Sequence, residues 1–115
     1  MKLAIVGSRS FDDYDLVKQK LKGLDVTEIV SGGAKGADSL AEQYAKENNI
    51  PIKIFKPDWS RFGRSAGMVR NKDIVDYSEK VIAFWDGESK GTKNSIYLSK
   101  RQGKLLDVVN FTSRG

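Results

Sequence analysis

The sequence predicts an α/β fold, a Rossmann-like three-layer α/β/α sandwich built around a five-stranded parallel sheet. Two observations carry this prediction. Short apolar runs alternate with amphipathic segments along all 115 residues, and glycine or polar residues separate most of these segments. Strands that alternate with helices form a parallel sheet covered by helices on both faces, because parallel strands need long crossover connections.

Each element follows from its local pattern. The predicted strands span residues 2–6, 27–31, 51–55, 80–85 and 104–109. The predicted helices span residues 14–22, 37–48, 66–77 and 92–102. Asp12 or Asp13 caps the first helix and Gly23 ends it, while Thr92 is the predicted cap of the last. In residues 37–48, apolar side chains recur at the spacing of one buried helix face. Residues 56–65 form a predicted loop, and we expect residues 110–115 to fray.

The composition limits the chemistry. We expect one domain over residues 1–115, since the chain is long enough for one core. It has neither cysteine nor histidine. Disulfides are therefore excluded, no metal site is expected, and acid–base chemistry falls to Asp, Glu, Lys or Tyr. Because no signal peptide or membrane-length apolar run is visible, we expect a cytoplasmic protein with no membrane partner. The net charge of +5 favours nucleotides or nucleic acid as partners, or simply a soluble surface.

The glycine-rich stretch at residues 31–38 is the strongest functional signal. It follows an apolar strand and opens a helix, the arrangement in which backbone N–H groups at a helix N-terminus hold a phosphate. The same glycines could also serve only to make a tight turn. Asp38 lies in the first helical turn, where it could stabilise the helix dipole or accept a hydrogen bond from a ribose hydroxyl.

Three other loops follow predicted strands and should meet this one at the carboxyl edge of the sheet. Arg9 is suited to bidentate phosphate recognition, with Ser8 beside it. Arg70 either points inward from the third helix or forms a surface ion pair with Asp73 or Asp76. Trp59 and Trp85 could stack on a base or fill the core. The first loop lacks G-x-G-x-x-G and no Walker A motif is present, so a redox dinucleotide is not expected.

These motifs resemble the SLOG superfamily, and in particular its small YspA-like branch from bacteria and phages. The resemblance rests on Gly7-Ser8-Arg9, on residues 31–38, on Arg70-Asn71, and on residues 83–87 with Gly91-Thr92. It implies a Rossmann-like domain with a nucleotide site on these loops, and a homodimer whose interface includes the third helix with its loop. Relatives in the superfamily include the LOG phosphoribohydrolases, which cleave nucleoside monophosphates, and the DNA-processing protein DprA.

Three functions remain open. The first is binding of a phosphorylated, nucleotide-derived small molecule, such as AMP or an ADP-ribose-like compound, as a sensor, a sink or a processor. The second is a nucleotide N-glycosidase with a relocated carboxylate, because the glutamate that LOG enzymes carry after Gly-Thr is absent after Gly91-Thr92. The third is a DprA-like binder of single-stranded nucleic acid.

The candidate residues fall into two groups. Weak catalytic candidates are Asp38, Arg70, Asp86 and Glu88. Candidate ligand-binding residues are Gly7, Ser8, Arg9, Ser31, Gly32, Gly33, Lys35, Gly36, Asp38, Trp59, Arg70, Asn71, Trp85, Asp86, Gly91 and Thr92.

Overall fold

A computed structural model describes residues 1–112, which contain five parallel strands and five helices. The strands are β1 (Lys2–Gly7), β2 (Glu28–Ser31), β3 (Ile52–Ile54), β4 (Lys80–Trp85) and β5 (Leu105–Asn110). The helices are α1 (Tyr14–Leu21), α2 (Ala37–Glu47), α3 (Trp59–Phe62), α4 (Ala66–Tyr77) and α5 (Lys90–Arg101). Among the described residues, no helix has both the length and the apolar character to span a membrane.

The strand order is β3-β2-β1-β4-β5, so the chain crosses from one half of the sheet to the other between β3 and β4. The central strand β1 and its neighbour β4 are paired in parallel from Leu3 with Lys80 to Gly7 with Phe84. After β1 the chain continues to β2 on one side of this pair, whereas after β4 it continues to β5 on the other side. A crevice forms at such a point, which is where ligands bind in open α/β sheets.

Alternation along β1 assigns its side chains to two cores. Leu3 and Ile5 belong to one apolar cluster together with Val17 of α1 and Ala41 of α2. Ala4 and Val6 belong to the other cluster, which also contains residues of α4 and α5. Because successive strand residues point to opposite faces, one buried strand supplies both cores. The predicted three-layer sandwich with a five-stranded parallel sheet is confirmed.

The predicted loop at residues 56–65 is wrong in part. It contains the short helix α3 and a 3-10 turn at Gly63–Ser65. The cause is Asp58, whose carboxylate accepts hydrogen bonds from the Arg61 N–H at 3.2 Å and the Ser60 hydroxyl at 2.8 Å. Asp is a favoured N-cap, and these bonds satisfy donors at the start of the turn.

The C-terminal prediction is also wrong in part. Asn110 belongs to β5, and the ring of Phe111 packs on Phe11 with centroids 4.8 Å apart. The frayed tail was predicted for residues 110–115, of which residues 113–115 lie outside the described part of the chain.

Gly36 brings α2 against the loop after β1. Its φ is +73°, and a Cβ at this position would lie 2.5 Å from the Arg9 carbonyl oxygen and even nearer the Ser8 carbonyl oxygen. Gly23 provides a comparison, since its φ is +84° but an added Cβ would meet nothing within 4 Å. Of these two glycines, Gly36 alone combines a positive φ with a close approach of two segments.

Replacing Gly36 by alanine should destabilise the protein more than replacing Gly23. The Gly23→Ala variant adds only left-handed strain, about 1 kcal/mol. Gly36→Ala adds overpacking against backbone atoms, typically a further 1–3 kcal/mol or so. Urea denaturation of the two variants and the wild type measures the difference in the free energy of unfolding. Equal losses of unfolding free energy in the two variants would contradict this account. They would show that the start of α2 and the loop after β1 can move apart without destabilising the protein.

Candidate ligand-binding site

A cavity of about 920 Å³ opens at the carboxyl edge of the sheet, beside the β1–β4 crossing point. The loops after β1, β2, β3 and β4 line it together with one face of α4 and the start of α5. The residues of the predicted set that line the cavity are Gly7, Ser8, Arg9, Gly32, Gly33, Asp38, Trp59, Arg70, Asn71, Asp86, Gly91 and Thr92. The four loops that the sequence placed at one edge are therefore adjacent.

Arg70 points inward from α4. Its Nη1 donates to the Gly32 carbonyl oxygen at 2.9 Å, and its Nε donates to Asn71 Oδ1 at 3.0 Å. The alternative of a surface ion pair with Asp73 or Asp76 is wrong, because the guanidinium bonds to Gly32 and Asn71 while Asp76 pairs with Lys72 at 2.6 Å. Burial lowers the pKa of the Arg70 guanidinium, Asp38 partly offsets this effect, and the nearby charge of Arg9 lowers the pKa further. The guanidinium nevertheless remains charged, because the ordinary pKa of arginine is so high.

Asp38 is nearly inaccessible, with 8% of its surface exposed. Its Oδ2 accepts the Ala34 N–H at 3.1 Å, so the carboxylate closes the glycine loop of its own chain. Burial raises the pKa of Asp38, while the Ala34 N–H and the charge of Arg70 oppose that rise. Gly32 permits this arrangement, since a Cβ there would lie 2.9 Å from Asp38 Oδ2 and also collide with the Arg70 guanidinium.

The sequence predicts that backbone N–H groups at the start of α2 hold a phosphate. In the structure, protein atoms already occupy part of this position. The Ala37 N–H donates to the Ser8 carbonyl oxygen at 3.3 Å, and Asp38 occupies the inner side of the glycine loop. Protein acceptors thus satisfy part of this helix terminus. Lys35 and Gly36 do not line the main cavity but border a smaller hollow on the other side of the loop, which Arg9 also lines.

Asp86 organises the loop after β4. Its Oδ1 accepts the N–H groups of Ser89 at 2.8 Å and Glu88 at 2.9 Å, while its own N–H donates to the Ser8 hydroxyl at 3.2 Å. The Ser89 and Glu88 N–H groups lower the pKa of Asp86, so it remains ionised. Ser8 therefore joins the β1 and β4 loops, and its hydroxyl is already engaged within the protein.

Ser89, not Thr92, is the N-cap of α5, so the predicted cap is wrong by three positions. Asp86 folds the loop early and lets the helix begin at Lys90. Thr92 lies in the first turn, where its hydroxyl is 3.1 Å from that of Ser89. Asn71 Nδ2 donates to the Gly91 carbonyl oxygen at 3.3 Å, which ties α4 to this helix terminus.

Three further predicted residues lie outside the main cavity. Ser31 is fully buried and its hydroxyl donates to the Asp38 carbonyl oxygen at 3.3 Å. Trp85 packs against the second apolar cluster, and its Nε1 donates to the Ser89 carbonyl oxygen at 3.0 Å. Glu88 is exposed and does not line the cavity. Ser31 and Trp85 are structural here because each is committed to bonds within the protein.

The cavity also contains residues that the predicted set omitted. These are Val6, Ser10, Ala34, Lys56, Pro57, Arg64, Gly67, Met68, Ile74, Ser89 and Ser95. Helical spacing could have found Gly67 and Ile74, since they share one face of α4 with Arg70 and Asn71. Lys56 and Pro57 had no such signal, because β3 is short and the loop after it has no regular periodicity.

The charges around the cavity are unbalanced. Its cationic side chains are Arg9, Lys56, Arg64 and Arg70, and its carboxylates are Asp38 and Asp86. Both carboxylates are already bonded to N–H groups of the protein. Cations gathered in a concave surface attract anions, and guanidinium groups suit phosphate oxygens in particular.

The five-stranded parallel sheet with flanking helices defines a Rossmann-like domain, and the cationic cavity lies beside the β1–β4 pair. The chain belongs to the YspA, cpYpsA-related SLOG family, whose sequence profile matches residues 1–62. It is also similar to the Gene 61 protein of Mycobacterium phage D29, with 32% identity over 124 aligned positions that cover 96% of this chain and 95% of the relative. No solved structure matches the chain. Membership of the SLOG family indicates a function related to nucleotides.

Asp38 and Asp86 should contribute to stability with opposite pH dependence. The pKa of folded Asp38 is raised, so its contribution is fully present below the ordinary Asp pKa of about 3.9 and is lost as pH rises through the raised value. The pKa of folded Asp86 is lowered, so its contribution is present above the ordinary value and is lost as pH falls.

Urea denaturation across acidic and neutral pH measures these contributions. The free energy of unfolding of the wild type minus that of Asp38→Asn should fall as pH rises. The corresponding difference for Asp86→Asn should rise. Differences of the same sign for the two variants would contradict the assignment of their environments.

Proposed function

We propose that this protein binds a phosphorylated, nucleotide-derived small molecule in the cavity at the β1–β4 edge. The observation that carries the proposal is the pairing of Arg9 with Arg70. Both side chains line one cavity, the positive charge of Arg9 acts on Arg70, and Asp38, the carboxylate whose charge acts on Arg70, is also bonded to the Ala34 N–H. A bound phosphate would relieve this repulsion and accept hydrogen bonds from both side chains.

The family and the size of the cavity support a nucleotide rather than a free anion. The volume of about 920 Å³ lies in the upper part of the range typical of small-molecule sites. AMP and an ADP-ribose-like compound are the ligands we propose. The protein would act as a sensor or sink of such a compound, or would process it. A cytoplasmic location and a homodimer stay predictions.

Arg9 and Arg70 should each contribute strongly to affinity. Hydrogen bonds to charged groups are worth about 1.5–3 kcal/mol, which corresponds to a loss of roughly 10- to 100-fold. We expect Arg9→Gln and Arg70→Gln to weaken AMP or ADP-ribose binding by that amount in isothermal titration calorimetry. Arg9 is exposed, so its replacement leaves the core intact even if loss of Arg70 loosens the Gly32 loop.

The matched control is Arg101→Gln, which removes an exposed arginine at the far end of α5 beside Tyr97. It changes the net charge equally and should leave affinity unchanged. If all three variants lose affinity equally, binding depends on overall charge, and the proposed site is wrong. Steeply salt-dependent binding of single-stranded oligonucleotides in place of these ligands would favour the nucleic-acid function instead.

A specific observation favours a second candidate, a nucleotide N-glycosidase. Asp38 is a buried carboxylate of raised pKa in the cavity wall, and catalytic carboxylates often have this environment. In such a reaction water would add to C1′ of the ribose as the bond to the base breaks, and the base would leave with a proton. A carboxylate stabilises the positive charge that develops on the sugar. Helix α5 offers no carboxylate for this purpose, since residues 90–101 contain neither Asp nor Glu.

Chromatography of AMP incubated with the protein separates the two functions. We expect AMP to be recovered intact, since binding is the leading proposal. Release of adenine with ribose 5-phosphate would overturn that expectation. Loss of this release in Asp38→Asn but not in Glu88→Gln would then assign the role to Asp38, because Glu88 lies outside the cavity.

A further inference from the structure

The segment formed by α3 and the 3-10 turn lies on the cavity without being anchored in the core. No side chain between Trp59 and Ser65 is buried. Its side-chain hydrogen bonds are local, since the Asp58 carboxylate accepts from the Ser60 hydroxyl and the Arg61 N–H. Such a segment contributes little apolar burial to stability, yet it places Trp59 in the cavity wall.

Trp59 is the aromatic side chain of that wall, with 58% of its surface exposed. Met68 of α4 also lines the cavity and is 59% exposed. Phe62 on the same short helix differs in two ways: it does not line the cavity, and the Arg61 guanidinium covers its ring at 5.0 Å from the centroid. Within residues 1–112, neither an aromatic ring nor a cation stacks on the Trp59 indole.

The cavity therefore offers two chemically different kinds of contact. Arg9 and Arg70 provide cationic donors, whereas Trp59, Met68 and Pro57 provide apolar surface. Soluble proteins rarely leave large apolar side chains grouped at a concave surface unless something binds there. Inorganic phosphate would occupy only a small part of about 920 Å³ and would leave the apolar surface uncovered.

We propose that Trp59, supported by Met68, stacks on the base of the ligand, so that the site selects nucleotides with an aromatic base over sugar phosphates. This inference rests on the proposed function and specifies its substrate class. A flat aromatic ring is the occupant that a free indole face accommodates best, because stacking needs no fixed hydrogen-bond pattern. Arg64 lines the same side of the cavity and adds a cation beside the base or its ribose.

A second copy of this chain is the competing occupant of the exposed indole. The charges favour the nucleotide, since a dimer formed through this surface would bring Arg61 and Arg64 of two copies together. Sedimentation velocity of the wild type and Trp59→Leu, with ligand absent, tests this directly. A dimer that dissociates in the variant would overturn the assignment of Trp59 to the base.

The binding test compares AMP with ribose 5-phosphate, which share the phosphate and the ribose but differ in the base. Trp59→Leu should weaken AMP binding about tenfold, as expected from the typical contribution of one stacked base. Ribose 5-phosphate affinity should stay unchanged, and Trp59→Phe should restore most of the AMP affinity. Phe62→Leu is the matched control on the same helix and should bind both compounds like the wild type.

Two other outcomes separate this inference from the proposed function. If AMP and ribose 5-phosphate bind equally well and Trp59→Leu changes neither, the phosphate site stands and the base assignment is wrong. If neither AMP, ADP-ribose nor ribose 5-phosphate binds the wild type, both proposals fail. Trp59 fluorescence in a Trp85→Phe background adds a direct signal, because stacking with AMP should quench it and ribose 5-phosphate should not.

Discussion

The contacts of the half-buried Arg70 and of its neighbour Asn71 constrain the shape of the site. Its guanidinium bonds to the Gly32 carbonyl oxygen and to Asn71, and Asn71 in turn bonds to the Gly91 carbonyl oxygen. Through these two neighbouring side chains, α4 is connected to the loop after β2 and to the start of α5. Asp38 offsets part of the cost of burying the guanidinium and also closes the glycine loop. Because even a half-buried charge is costly without specific partners, these contacts constrain where the cavity lies.

The remaining charges are arranged around that centre. Asp38 and Asp86 are committed to backbone N–H groups, and Ser8 holds the β1 and β4 loops together. The cationic groups that face the cavity therefore outnumber the carboxylates, which are already satisfied. Arg9 and Arg70 both line the cavity, and positive charges gathered in a concave surface attract an anion.

The fold was largely predictable from sequence because its signals are local. The bounds of α4 and β4 agree with the prediction, and the strand order follows the general preference for parallel sheets with helical crossovers. The adjacency of four loops followed from the same topology. The hydrogen-bond partners of individual side chains were not predictable. Trp85 donates to a carbonyl oxygen of its own loop, and the buried Ser31 hydroxyl donates to the Asp38 carbonyl oxygen. The prediction also missed Lys56 and Met68, which reach the cavity through tertiary placement and not through a motif.

A crystal structure of the protein in complex with ADP-ribose would most directly test the claim that the cavity binds a phosphorylated ligand. The account predicts ligand density in the cavity between β1 and β4, with phosphate oxygens within hydrogen-bond distance of the Arg9 and Arg70 side chains. Ligand bound on another surface, with Arg70 contacting only Gly32 and Asn71, would contradict it.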